Sequence, residues 1–136
     1  MKPITSEWIE KAEGDFATAR RELGAADRPN YDAVCFHAQQ CAEKYLKAYL
    51  QEADIPIRRT HDLSELLTAV LSIEPTWKSM TEDLNALSAF AVEYRYPGED
   101  ADLDEAREAM EKCKNVRQII RRAMHLEQGD PFAGSV

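Results

Sequence analysis

The stretch from Tyr31 to Glu52, YDAVCFHAQQCAEKYLKAYLQE, constrains this chain more than any other. It contains no Gly or Pro and carries apolar residues around most of a helix. Projected at 100° per residue, Val34, Ala38, Cys41, Tyr45 and Ala48 form one stripe, which Tyr31, Ala42, Leu46 and Tyr49 widen. The arc spans roughly 160°, broader than the ~100° of a helix that lies on a surface. Such a helix must touch neighbours on several sides, so it is expected at the centre of the fold. At ~1.5 Å per residue it is about 33 Å long, enough to cross a small domain.

The other segments supply helices to surround it. Trp8, Ala12, Phe16, Ala19 and Leu23 recur at three- and four-residue intervals and predict a first helix from about Ser6 to Leu23. Thr5 or Ser6 is expected to cap it, with Gly24 as its stop. Asn30 is the candidate cap of the central helix. On that helix Gln39, Gln40, Glu43 and Lys47 are expected to face outward, with Phe36 exposed among them and Glu43–Lys47 as a surface ion pair. Asp62 and Glu65 have capping-box spacing ahead of a short helix carrying Leu63, Leu66, Leu67, Val70 and Leu71. A fourth helix is expected from near Thr76 or Ser79 to Tyr96, with Trp77, Met80, Leu84, Leu87, Ala91 and Tyr94 on one face and Pro97-Gly98 as its end. The acidic segment Glu99–Glu105 reads as a solvated loop. A fifth helix follows from about Leu103 to Leu126, with Ala106, Met110, Cys113, Val116, Ile120 and Met124 inward. The fold class is therefore all-α: an antiparallel up-and-down bundle of four long helices plus one short one, over residues 1–127, with a frayed tail over 128–136.

Several function classes are disfavoured. No apolar run approaches the ~18 residues of a membrane span, so the cytoplasm is the expected compartment and no membrane partner is expected. A net charge of −8 works against non-specific nucleic-acid binding, and no specific DNA-binding element is present. Cys35, Cys41 and Cys113 all fall in predicted helices and read as reduced core thiols. The chain has no phosphate-binding Gly-rich loop, no Ser-His-Asp order, no HExxH and no paired Cys motif. His37 and Cys41 share a helix face, but two ligands do not make a metal site, and no metal or cofactor is expected. The carboxylates between Glu99 and Asp104 lack the Gly and terminal Glu of a calcium loop.

Arg95 is the residue that stands out. The helical wheel aligns it with Leu84 and Ala91, on the buried side of the fourth helix's last turn. A guanidinium there needs an acceptor, either helix-end carbonyls, a structural carboxylate such as Asp32 or Glu43, or an anionic ligand. The five basic residues from Lys112 to Arg122 suit the negative end of a helix dipole or a weak anion surface. Arg117 is distinct among them because it projects at the edge of the apolar face.

Three segments, FHAQQCAEKYLKAYL from Phe36, THDLSELL from Thr60 and YRYPG from Tyr94, occur in an order that resembles the HEPN family (higher eukaryotes and prokaryotes nucleotide-binding) over about residues 5 to 126. The resemblance implies a small helical bundle, commonly a homodimer, often encoded beside a minimal nucleotidyltransferase in prokaryotic toxin–antitoxin pairs. Many members are metal-independent ribonucleases that use an arginine and a histidine separated by four to six intervening residues. Arg95 matches that arginine, but Asp100, Ala101 and Asp102 occupy the positions of the histidine. A carboxylate there is anionic at neutral pH and repels phosphate. The chain is thus similar to the Arg-Tyr-Pro branch, for which binding of a nucleotide or a partner is implied. Arg95, Tyr96 and Arg117 are then the candidate anion-binding residues, and no catalytic residue beyond Arg95 is identified. Three readings stay open: a nucleotide- or RNA-phosphate-binding or nucleotidyltransferase-partner protein; a ribonuclease with a degenerate motif, using His61 or Tyr96 in place of the histidine; and a structural interaction module docking through Phe36.

Overall fold

The computed structural model describes residues 1–57, 59–94 and 96–132. They form five helices, α1 (Pro3–Leu23), α2 (Tyr31–Glu52), α3 (Leu63–Val70), α4 (Thr81–Glu93) and α5 (Leu103–Ala123), with a 3₁₀ turn over Pro75–Met80. There is no strand among the described residues. The helices pack as the expected all-α bundle, and α2 touches every other helix. Val34, Ala38, Cys41, Tyr45 and Ala48 are all sealed from solvent. Phe16 and Ala19 of α1, Leu63 and Val70 of α3, Leu84 and Leu87 of α4, and Cys113, Val116 and Ile120 of α5 close around that stripe. Burying a large apolar side chain of this kind contributes about 1.5–3 kcal/mol, so most of the fold's stability converges on one helix.

The helix ends reveal local chemistry. α1 starts at Pro3, whose missing N–H costs nothing at a first helical position. Thr5 is therefore inside the helix and does not cap it. It is buried, and its hydroxyl donates to Glu52 Oε1 at 3.0 Å, tying the start of α1 to the end of α2. Asn30 caps α2 by accepting from the Ala33 N–H at 3.0 Å. Asp62 caps α3 by accepting from the Ser64 N–H at 2.9 Å. α4 begins later than its apolar pattern suggests, because Pro75 first sets a 3₁₀ turn, and it ends at Glu93, short of Tyr96. The acidic segment expected to be free loop contains a complete capping box, in which Asp102 and Glu105 each accept from the other's backbone N–H. Asp32 Oδ1 accepts from the Ala101 N–H at 2.7 Å and fixes this entry to the first turn of α2.

Two expectations are corrected. Gln39, Glu43 and Lys47 are not on an outward face; they are only 5%, 2% and 7% exposed. α2 is packed on most sides and at its middle stays partly open only along Phe36, His37, Gln40 and Lys44, so Gln39, Glu43 and Lys47 are buried along with the apolar positions. The segment after Glu127 is not frayed as far as Phe132. Asp130 pairs with Arg117, and the Phe132 ring meets Phe16 edge-on at a centroid distance of 5.0 Å. A lack of periodicity excludes a helix there but does not exclude anchoring by two side chains.

Candidate functional site

The buried polar residues of α2 form a connected row. Lys47 Nζ donates to Glu43 Oε2 at 3.1 Å, and Gln39 Nε2 reaches Glu43 Oε1 at 3.4 Å. Gln40 donates to Gln39 Oε1 at 2.8 Å. Trp8 of α1 covers the ammonium, with Lys47 Nζ 5.5 Å from its ring centroid. From the loop before α3, His61 places Nδ1 3.1 Å from both oxygens of Glu43. Facing two carboxylate oxygens, Nδ1 is placed to donate to them. The His61 side chain is 83% exposed while Glu43 is buried beneath it. A charge taken out of water thus orients an imidazole that remains in water.

Above this row lies a groove of about 500 Å³ between α2, the start of α3 and α4. Phe36, Gln39, Gln40, His61, Asp62, Ser88, Ala91 and Val92 line it. Phe36 is 43% exposed and Val92 58%, so the groove has apolar rims, an amide floor and one imidazole. Two hydrogen bonds from Ser64 hold the Asp62 carboxyl below its usual range, so the groove's edge keeps a negative charge at neutral pH. The groove presents an aromatic face for stacking and amide and imidazole groups for directed hydrogen bonds, the combination used for unstacked bases.

The residues expected from the sequence to bind an anion are Arg95, Tyr96 and Arg117. Arg95 lies outside the described residues. Tyr96 is 66% exposed, just past the end of α4. Arg117 is elsewhere, under the C-terminal segment, and its donors are spent on Glu13 and Asp130. Burial opposes its charge, but these two carboxylates outweigh burial and hold the guanidinium above its ordinary pKa. Arg117 is thus held by two carboxylates of its own chain. Of the proposed partners of Arg95, Asp32 is engaged with Ala101 and Glu43 with Lys47, His61 and Gln39. His37 pairs with Asp15 of α1 at 2.7 Å instead of with Cys41. Among the described residues, no three His, Cys, Asp or Glu side chains are gathered as metal ligands. No helix among them is long and apolar enough to cross a membrane.

Sequence reasoning misses the Glu43–His61 pair, because His61 reads as part of the α3 cap and Glu43 as a surface residue. The available signal is the width of the α2 apolar arc: if that helix is enclosed, its mid-helix Glu must have buried partners.

Comparison with known proteins bears on this geometry. The family model for the HEPN domain matches residues 5–123. The chain belongs to the HEPN family. Within it, the chain is 30% identical to "Putative toxin MJ1304" of Methanocaldococcus jannaschii, with 84% of each chain covered. The crystal structure of TT1696 from Thermus thermophilus superposes with a TM-score of 0.73 at 25% identity, over 87% of this chain and 96% of that one. The crystal structure of ST0689, an archaeal HEPN homologue, gives 0.66 at 26% identity, over 91% and 99%. The HEPN match thus spans the bundle from α1 to α5.

Proposed function

We propose that this HEPN protein is the binding component of a toxin–antitoxin-type pair, taking a nucleotide or RNA phosphate in the α2–α4 groove. The observation that carries the reading is the groove itself: Phe36 at the rim, Gln39 and Gln40 on the floor and a carboxylate-held His61 at the mouth. The toxin name of the Methanocaldococcus relative supports the biological class. Tyr96, just past the end of α4, and its sequence neighbour Arg95 supply the anion contact in this reading. Exposed Phe36 and Val92 suit a second copy of the chain or a small nucleotidyltransferase that closes over the rim. Titration of ATP, other mononucleotides and short RNAs against the parent and Arg95→Ala tests the reading. Binding that weakens in Arg95→Ala supports it. Equal affinities remove Arg95 from the site, and no binding to either protein overturns the ligand class. Solution mass of Phe36→Asp tests the rim, since an unchanged dimer would exclude it as the contact.

One observation favours a second reading, metal-independent RNA cleavage. Glu43 orients His61 as an acid–base group would be oriented, and this pair would do the proton transfer that the absent motif histidine does elsewhere. Purified protein that leaves single-stranded and structured RNA intact in the presence of a chelator would exclude it. Cleavage that persists in His61→Ala would exclude His61.

A further inference from the structure

The C-terminal segment covers a cluster that the groove does not use. Asp130 presents both oxygens to Arg117, at 3.1 Å from Nη1 and 2.7 Å from Nη2. Two residues on, the Phe132 ring lies against Phe16 and beneath two guanidinium groups, 5.1 Å from that of Arg20 and 5.3 Å from that of Arg117. Arg121 completes the anion end. It is 7% exposed and donates to Glu13, the Tyr45 hydroxyl and the Leu126 carbonyl. Its Nε–H has no partner and sits 3.8 Å from Asp130 Oδ2.

We propose that the Asp130–Phe132 segment occupies a ligand site of its own chain, one built for an aromatic phosphate monoester, with Arg117 and Arg121 at the phosphate and Phe16 with Arg20 at the ring. A buried N–H without an acceptor costs free energy and is rare, so the Arg121 Nε–H points to an acceptor that Asp130 does not supply. Asp130 Oδ2 stays 3.8 Å from that N–H, beyond hydrogen-bond reach, while it accepts from Arg117, whereas a phosphate monoester has a third oxygen to offer there. Arg117 and Arg121 converge on Asp130, so an anion in its place would meet two guanidinium groups, which the Glu13 carboxylate also contacts. The ring slot is a flat space flanked by guanidinium planes, which attract an aromatic face whatever chain carries it. The site shares no residue with the α2–α4 groove, so it stands or falls separately from the proposed function.

Because the segment competes from within the same molecule, the parent's apparent affinity is reduced by the fraction of time the site is filled. The probe is phenyl phosphate, titrated by calorimetry into the full-length parent and into Asp130→Ala/Phe132→Ala. The double variant is expected to bind about tenfold or more tightly than the parent. Adding Arg117→Gln is expected to abolish that binding. Adding Arg117→Lys, which keeps the charge and loses the fork, is expected to remove most of it, and circular dichroism confirms that each variant is folded. Inorganic phosphate is expected to bind more weakly than phenyl phosphate because it leaves the ring slot empty. Equal affinity of parent and double variant overturns the proposal. So does affinity unchanged by both Arg117 substitutions, or inorganic phosphate that matches phenyl phosphate.

Discussion

Replacing Glu43 with Leu would leave Lys47 as an unpaired charge at the centre of the protein. Both side chains are almost fully enclosed, 3% and 8% exposed, and Trp8 blocks the solvent side of the ammonium. A surface pair at this i,i+4 spacing would be worth a few tenths of a kcal/mol. Removing one partner of a buried pair instead costs about 3–5 kcal/mol, because the remaining ion has lost both water and its counter-charge. With an unfolding entropy of ~2.1 cal/mol/K per residue, a chain of this size loses roughly 3–4 °C per kcal/mol, a fall of about 10–17 °C in Tm. Glu43→Leu/Lys47→Met removes both ions and is expected to unfold within ~1 kcal/mol of the parent. Urea and thermal unfolding of the two single variants and the double variant complete the cycle. A cost below about 1 kcal/mol for Glu43→Leu would refute the reasoning, since it would mean that Lys47 reaches water as a surface lysine does.

Other outcomes follow from the same structure. Hydrogen bonds from Arg117 hold the Asp130 pKa below its unfolded value, so its contribution is present above about pH 4 and is lost as pH falls through the folded pKa. Acid titration followed by NMR at the Phe132 amide should show this segment releasing, and Asp130→Asn should remove the dependence. Burial and the bond to Glu74 push the Tyr49 hydroxyl up to about 12. Its contribution to stability is complete below about pH 10 and is lost as pH rises toward 12, a loss that Tyr49→Phe should abolish in alkaline unfolding curves. Burial likewise pushes the Cys35 thiol up to about 12 and raises Cys41. With all three cysteines enclosed, a thiol reagent at mildly alkaline pH should label none of them in the folded protein and all of them in urea.

Helix positions are legible in the sequence because they depend on local period and punctuation. α2 runs from Tyr31 to Glu52, the stretch bounded by Asn30 and Asp54-Ile55-Pro56. The start of α1 is harder to read, because Pro3 at the first position and Thr5 in a hidden hydroxyl–carboxylate bond look like the residues that precede a helix. The site is less legible still. A helical wheel separates apolar from polar positions, but it cannot say what another helix or loop brings against the polar ones. Glu43 needs His61, 18 residues away, and Arg117 needs Glu13, 104 residues away, before either can be recognised as internal. Phe36 reads correctly as exposed, because it projects almost opposite Val34, which is sealed in the core. For Arg95, the wheel alignment with Leu84 and Ala91 is a sequence inference, and the position lies outside the described residues.

The Arg117 fork also has a consequence for the order of folding. It joins Glu13 of the first helix to Asp130 beyond the last, residues that leave the ribosome far apart in time. α1 and α2 can pair early, since they are neighbours in sequence and share the largest interface. The arginine that locks α1 against α5 arrives only once α5 has been made, and it acquires its second counter-charge only after Asp130 has emerged. Until then a guanidinium and the Phe16 ring stay open to whatever the nascent protein meets. The contact that closes this face thus depends on residues made late in synthesis.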